Sequence, residues 1–177
     1  MAPHDASIDQ RAALLSLYDA SVHDVYAYLH RRCGSVALAE DLTAETFVAA
    51  VTAVQRGSVP SMSVAWLLAV ARNKLVDHWR RQEREARVRL AAEADAGVDE
   101  AQDDWDAVLE TGLTREVLAA LGPHHRAALT LRYLDALPVG VVAAHLGRTV
   151  GATEVLLVRA KRAFRAEYER RTGEEER

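Results

Sequence analysis

The sequence contains a single cysteine, Cys33, so no disulfide bond can form within the chain. A lone cysteine fits a reducing compartment. No apolar run approaches the roughly 20 residues that a membrane-spanning helix needs, since the longest candidate, Val64 to Ala71, stops at Arg72. Residues 1–10 are polar and lack the charged-then-apolar order of a signal peptide. These absences predict a cytoplasmic protein that does not insert into a membrane.

Aromatic residues are also scarce, at 6% of the chain, although half of its residues are apolar. Alanine, leucine, arginine and glutamate are abundant, and these residues favour helices over strands. Apolar side chains recur at helical spacing from Leu14 through Val25 to Leu29. Ser35, after Gly34, and Ser63, after a loop over residues 55–62, stand where they can cap the helices that follow. We therefore predict an all-α protein.

The net charge of −4 is distributed unevenly along the 177 residues. Residues 1–87 carry ten basic and ten acidic side chains, and residues 112–177 carry eleven basic and eight acidic ones. Residues 88–111 hold one arginine and eight acidic residues, with almost no large apolar side chain from Glu93 to Asp104. Such a self-repelling segment is typical of a flexible linker. The distribution predicts two small helical domains, 8–87 and 112–171, joined by an acidic flexible linker, 88–111.

The second predicted domain contains the pattern of a helix-turn-helix. Two helices, about 113–121 and 124–134, are expected before it. Pro138 suits the first turn of a short helix that ends near Leu146, and Gly147 suits the C-terminal cap of that helix. A longer basic helix is then predicted from about Val150 to Arg170. A short helix, a glycine-containing turn and a longer helix are the parts of this DNA-binding motif.

Signals for catalysis or for a bound cofactor are missing from the sequence. No glycine-rich phosphate loop and no nucleophile–base pattern is visible. His30 and Cys33 have the spacing of half a metal site, but no second pair accompanies them, so a structural placement is expected. We therefore predict that the chain is not an enzyme and that it uses no metal and no cofactor.

Three segments together resemble the extracytoplasmic-function (ECF) sigma factors of bacteria. Residues 39–47, Ala-Glu-Asp-Leu-Thr-Ala-Glu-Thr-Phe, resemble the segment with which that family binds the polymerase clamp, and residues 65–81 resemble its helix that melts and reads the −10 element. Residues 121–133, with the helix-turn-helix, are similar to its −35 domain. The resemblance covers nearly the whole chain. It implies an alternative sigma factor that binds promoter DNA and core RNA polymerase, through the clamp helices and the flap region, with an anti-sigma factor as a further partner.

The first segment presents carboxylates along one side of its helix. Such a surface suits a partner helix that bears arginines, and Leu42 adds an apolar anchor. The alternative is a solvated acidic face with no partner. The predicted polymerase-binding residues are Glu40, Asp41, Leu42, Glu45 and Thr46.

The second segment leads into a basic stretch, since Arg72 to Arg89 holds seven basic and three acidic residues. This is an electrostatic footprint for phosphate. The resemblance implies that the loop 55–62 holds a flipped base, and Asn73 and Asp77 can hydrogen-bond to unstacked bases. Trp66 and Trp79 fit either this surface or an ordinary core. The predicted −10 residues are Ser58, Ser61, Arg72, Asn73, Asp77, Arg80, Arg81 and Arg84.

The third segment departs from the family pattern at Glu154 and Leu156, where the family often places lysine and arginine. Residues 154–158 are therefore unusually apolar and acidic for a DNA-reading surface. Either the helix reads an unusual −35 sequence, or part of its face packs on another protein. The second alternative makes the chain a sigma-like interaction module or decoy that does not read DNA. The predicted −35 residues are Arg148, Thr149, Thr153, Glu154, Arg159 and Arg162.

Overall fold

A computed structural model describes residues 3–59, 61–89 and 112–175. Over these ranges the chain is helical and contains no strand, which confirms the predicted all-α class. The chain divides into two compact units, Met1–Leu75 and Val76–Arg177. The helices are α1 (Pro3–Cys33), α2 (Val36–Gln55), α3 (Val64–Arg89), α4 (Gly112–Ala120), α5 (Pro123–Leu129), α6 (Val139–Leu146) and α7 (Val150–Glu175).

The domain boundaries at 8–87 and 112–171 stay predictions. The division between the two compact units falls inside α3, so the second half of that helix is described with the second unit. Most of the predicted acidic linker, residues 90–111, lies outside the described residues.

In the first unit, α1 and α2 pack against each other around a sharp turn. Gly34 adopts a left-handed φ of 69°, which glycine tolerates without steric cost. The Ser35 side chain then accepts a hydrogen bond from the Leu38 amide at 3.4 Å, as predicted for a helix cap. Val25 and Leu29 of α1 are fully buried, and so is Ala39 of α2, so both helices turn apolar sides inward.

The third helix begins at the second predicted cap. The Ser63 hydroxyl accepts a hydrogen bond from the Trp66 amide at 3.2 Å. Leu67, Ala71 and Leu75 follow at helical spacing and are buried. Trp79 is also buried, whereas Trp66 is partly exposed. Of the two tryptophans with an open assignment, Trp79 belongs to the core.

The second unit is built on α7, which packs against α4, α5 and α6. Phe164 and Ala160 on α7 are buried in one cluster with Val117, Leu118 and Leu129. The helix predicted over 124–134 changes its geometry at its end, where α5 passes into a π-helical turn, Thr130–Leu134. The Asp135 amide closes this turn by donating to the Thr130 carbonyl at 2.9 Å. Nothing in the hydrophobic spacing indicated this turn.

The helix-turn-helix consists of α6, a short turn and α7. The chain bends by 96° between the two helices. Gly147 caps α6 with a left-handed φ of 64°, as predicted. Pro138 lies one position before α6, as its N-cap, and so not within its first turn; its carbonyl accepts from the Val142 amide at 3.0 Å. The Thr149 hydroxyl accepts from the Ala152 amide at 3.2 Å and so caps α7. That helix continues to Glu175, five residues beyond the predicted end.

Arg126 fastens α5 to the C-terminal end of α4. Its Nε donates to the Leu118 carbonyl at 2.8 Å, and its Nη2 donates to the carbonyls of Leu121, at 3.1 Å, and Ala119. Carbonyls at the end of a helix have no partners within it, and a cation also suits the negative end of the helix dipole. One guanidinium therefore binds three carbonyls at and just after the end of α4.

We predict that Arg126→Met lowers the free energy of unfolding by about 1–2 kcal/mol, because methionine keeps the bulk but loses the charged hydrogen bonds. Chemical denaturation followed by circular dichroism measures this. Arg115→Met, at an exposed position of α4, is the control and should change stability by less than about 0.5 kcal/mol. Equal effects of both substitutions would show that the Arg126 contacts do not support the fold.

Candidate functional site

The predicted polymerase-binding residues separate into two groups on α2. Glu40, Asp41 and Glu45 are exposed, whereas Leu42 and Thr46 are 3% and 0% exposed. The Thr46 hydroxyl donates to the Leu42 carbonyl at 2.7 Å, so its polar group is used within the helix. The three carboxylates can meet a partner on this surface. Leu42 and Thr46 hold α2 in the domain and do not reach that surface.

Apolar side chains continue the exposed face of α2, and the sequence reading missed them. Val48 is 66% exposed and lies three residues after Glu45, next to the carboxylates along the helix. Val51, one turn further along, is exposed as well. Phe47 meets Tyr18 of α1 edge-on, with ring centroids 4.6 Å apart. The surface therefore combines carboxylates with apolar contact area.

One carboxylate of this surface has a partner within the first unit. The Lys74 Nζ lies 3.4 Å from Glu45 Oε2, and both side chains are partly exposed. Ion pairs in such positions contribute little to stability, because water screens them. Glu45 can therefore exchange this partner for another cation at small cost.

The loop before α3 places both predicted serines at the surface. Ser58 is exposed, and its hydroxyl donates to the Ala53 carbonyl at 3.0 Å. Gly57 turns the chain out of α2 with a φ of 64°. Ser61 is also exposed. Residue 60, which precedes it in the sequence, lies outside the described residues.

Along α3, the predicted base-reading and phosphate-binding residues stay at the surface. Asn73 and Asp77 are exposed and lie four residues apart, on one side of the helix. Arg81 and Arg84 are exposed, and Arg72 and Arg80 are partly exposed. A helix that offers an amide, a carboxylate and several guanidinium groups can bind bases and phosphates together.

In the helix-turn-helix, the predicted −35 residues again differ in exposure. Glu154 and Arg162 are exposed, and Arg159 is partly buried. Thr153 is 0% exposed, and its hydroxyl donates to the Thr149 carbonyl at 2.9 Å. Thr153 therefore supports the start of α7 and cannot present its side chain to a ligand.

The turn residue Arg148 is engaged within the second unit. Its Nη2 lies 2.8 Å from Glu83 Oε1 on the second half of α3, and both side chains are about three-quarters or more buried. Beside this pair is a cavity of about 330 Å³. Three arginines contribute to its lining, which consists of Arg80, Glu83, Arg84, Leu146, Gly147 and Arg148. The cavity concentrates positive charge next to the turn of the motif.

The unusual apolar stretch on α7 is explained by the core of its own domain. Leu156 and Leu157 are buried and cluster with Ala128 of α5. Val155, between Glu154 and Leu156, is exposed. Leu156, which stands where the family often has a basic residue, is therefore a packing residue in this chain. The apolar stretch as a whole is not an unoccupied protein-binding face.

His124 and His125 are both partly buried at the start of α5, and their rings lie 4.1 Å apart. Burial is the main cause that lowers the pKa of His125 to about 4; the neighbouring His124 and Arg159 act in the same direction, and Glu83 acts in the opposite direction. His125 is therefore neutral at pH 7. It adds no positive charge beside Arg159 in the second unit.

Two family models match the chain. Sigma-70 region 2 matches residues 17–85, and Sigma-70 region 4 matches residues 112–164. The first range contains the acidic face of α2 and the polar side of α3, and the second contains the helix-turn-helix. The chain therefore belongs to the sigma-70 class of bacterial transcription factors.

Curated relatives place the chain within this class. It is 35% identical to the ECF RNA polymerase sigma factor BldN of Streptomyces coelicolor over 84% of this chain, although it spans only 57% of that relative. It is 30% identical to SigL of Mycobacterium tuberculosis, covering 90% of this chain and 91% of the relative. For SigF of Caulobacter vibrioides the identity is 32%, over 82% and 79% of the two chains.

A solved structure shares the fold. The sigma factor RpoE from Bartonella quintana, crystallised with the anti-sigma factor NepR, aligns with a TM-score of 0.53 and 20% identity over 91% of this chain and 97% of that chain. Taken with the sequence relatives, the chain is a member of the ECF group, alternative sigma factors that direct transcription initiation. Its relatives are transcription regulators rather than enzymes.

Two further properties concern the described ranges alone. No group of three or more histidine, cysteine, aspartate or glutamate side chains there could hold a metal ion, and Cys33 is a buried thiol outside any disulfide. No single helix in those ranges is long and apolar enough to cross a membrane; the bent pair α6 and α7 would meet that criterion only jointly, by length and composition.

We predict that Glu83→Gln raises the affinity of the free protein for duplex DNA by about two- to fivefold at low salt, because it releases Arg148 from a partly buried ion pair. Fluorescence anisotropy with a non-specific duplex measures this. Glu85→Gln removes the same charge at an exposed position two residues away and serves as the control. An equal gain from both variants would mean that only net charge matters and that the pair does not withhold Arg148.

Proposed function

We propose that this ECF sigma factor assigns its tasks to three surfaces: α2 binds core RNA polymerase, α3 and the loop before it open and read the −10 element, and α6 with α7 reads −35. The observation that carries this proposal is the exposure pattern within the matched regions. Acidic side chains are exposed on α2, and arginines are exposed on α3 and α7. Opposite charges thus serve two partners, a basic protein surface and the DNA backbone.

The polymerase surface consists of Glu40, Asp41 and Glu45 with the exposed Val48. Charge-assisted hydrogen bonds from arginines on the polymerase clamp helices would fix its orientation. The valine would add apolar contact in the centre of the interface, where charged residues are usually depleted. The second domain would meet the flap region of the polymerase.

The −10 surface consists of the two loop serines and the polar side of α3. Asn73 and Asp77 would hydrogen-bond to unstacked bases, and Ser58 and Ser61 would line the pocket for a flipped base. Phosphates would be neutralised by the four arginines Arg72, Arg80, Arg81 and Arg84. Base contacts specify the sequence, whereas phosphate contacts set the register.

The −35 surface consists of Arg148, Thr149, Glu154, Arg159 and Arg162. The turn and the first turn of α7 would lie at the major groove, with arginines on the flanking phosphates. Thr153 would act indirectly, by holding the start of α7.

We further propose that the chain works in the cytoplasm, without catalytic activity and without a cofactor. Chemistry at the promoter belongs to the polymerase, and the task proposed here needs only binding energy. An anti-sigma factor is proposed as a regulatory partner, as in the Bartonella quintana complex. A sigma-like decoy is the second candidate, but the burial of Leu156 and Leu157 removes the apolar face that favoured it.

The polymerase surface is tested by charge reversal. Asp41→Arg combined with Glu45→Arg should weaken binding to core polymerase at least tenfold and leave helical content unchanged, because both carboxylates are exposed and reversal replaces attraction with repulsion. Native gel shifts and circular dichroism measure the two quantities. The control is Asp24→Arg with Glu169→Arg, which changes the net charge equally at exposed positions of α1 and α7. Unchanged core affinity in the α2 variant would refute the assignment.

The −10 surface is tested by separating base contacts from phosphate contacts. Asn73→Ala should reduce opening of the preferred −10 sequence by about tenfold and relax sequence preference, because one base contact is worth about 1–3 kcal/mol. Arg80→Ala should weaken all promoters similarly and reduce the salt dependence of binding. Permanganate footprinting across promoter variants measures opening. Equal losses on every variant for both substitutions would contradict this division.

A further inference from the structure

The outward face of α7 is unusually poor in hydrogen-bonding side chains. Five residues at spacings of three or four share this face, and those opposite them, including Leu157 and Ala160, are buried in the core. Toward the N-terminal end of α7 the only polar side chain on the face is Glu154. The face consists of Gly151, Glu154, Val155, Val158 and Arg162.

Neighbouring polar groups do not change this chemistry. The Thr149 hydroxyl is used as the helix cap, and the Thr153 hydroxyl is buried against the Thr149 carbonyl. The preferred hydrogen-bond pairings that read guanine or adenine come from arginine, lysine, asparagine or glutamine at the base edge. None of these four residue types occurs between Val150 and Val158.

Gly151 adds a second observation about the same face. A Cβ built on this residue meets no atom within 4 Å, so packing does not require a glycine here. A glycine inside a helix costs roughly 0.5–1 kcal/mol relative to alanine. Its absent side chain instead lets the α7 backbone come closer to whatever lies against this face.

Cations lie before and after the apolar part of the face. Arg148 precedes α7, and Arg159 and Arg162 follow within its next turns. This arrangement complements the phosphates on either side of a groove and does not suit an apolar protein partner. Within the major groove, the one apolar group that a valine can recognise is the C5-methyl of thymine.

We propose that Val155 is a specificity-determining residue of this sigma factor, which selects thymine in the −35 element by contact with its methyl group. Gly151 permits the close approach that this contact needs, and the adjacent Glu154 accepts a hydrogen bond from a neighbouring cytosine N4. The −35 preference then consists of a methyl-read thymine beside a cytosine. The inference rests on the proposed −35 role of α7 and adds the chemistry by which that helix reads.

The test uses full-length protein bound to core polymerase. A randomised −35 library first yields the preferred element, and each thymine of that element is then replaced by deoxyuridine, which lacks only the methyl group. One replacement should weaken promoter binding about three- to fivefold, the effect of losing one buried methyl contact. Val155→Ala should bind the thymine and deoxyuridine promoters equally. Val141→Ala, at an exposed valine of α6, is the control and should keep the difference.

Gly151→Ala provides a second variant, independent of Val155. It should weaken binding to the preferred promoter while thermal stability stays the same or rises, because a Cβ there meets nothing within the protein.

The outcomes separate the two levels of the proposal. If no −35 element is selected at all, the −35 role of α7 itself fails. If an element is selected but contains no thymine, is insensitive to deoxyuridine, or keeps its sensitivity in Val155→Ala, the methyl-reading role is overturned while the −35 role stands. If Val155→Ala weakens binding to core polymerase without DNA, the face docks on protein and the proposal is overturned.

Discussion

The packing of α7 against α4, α5 and α6 constrains everything else that the second domain can do. Phe164 and Ala160 hold the middle of α7, and Leu156 and Leu157 hold its start. A helix of 3.6 residues per turn that buries these positions has only one side left for a ligand. That side is where the exposed Glu154 and Arg162 are found, so the core decides which residues can meet DNA.

The same constraint applies to α2 in the first unit. Its buried positions include Leu42 and Thr46, and the exposed side carries Glu40, Asp41 and Glu45. The charged side chains of α2 lie on its exposed side, because ionised side chains are costly to bury without partners. Exposed surfaces of opposite charge thus arise on separate helices, acidic on α2 and basic along α3 and around α7. A factor that must hold a protein and a nucleic acid at once needs such a separation.

Local signals in the sequence predicted much of this structure. The caps Ser35 and Ser63 and the left-handed Gly147 were identified because each acts within three or four residues. The candidate site was predicted less well, since matching a motif does not say which side of a helix is buried. Spacing alone could have identified Thr153 as a buried residue. It lies three residues before Leu156 and four before Leu157, and therefore on the same side of the helix. No such signal exists for the contacts of Arg126, which cross the turn between α4 and α5. None exists for the ion pair of Glu83 with Arg148 either, because these two residues are remote in sequence.

The central claim is that this chain gives core RNA polymerase a promoter preference through its two matched regions. The most direct measurement is transcription in vitro by core polymerase, with and without the chain, on a library randomised at the −10 and −35 positions, with sequencing of the transcript ends. The account predicts transcripts that require the chain and start downstream of two enriched motifs. Stable binding of the chain to core polymerase without any enriched motif, or without transcripts above those of core polymerase alone, would contradict it.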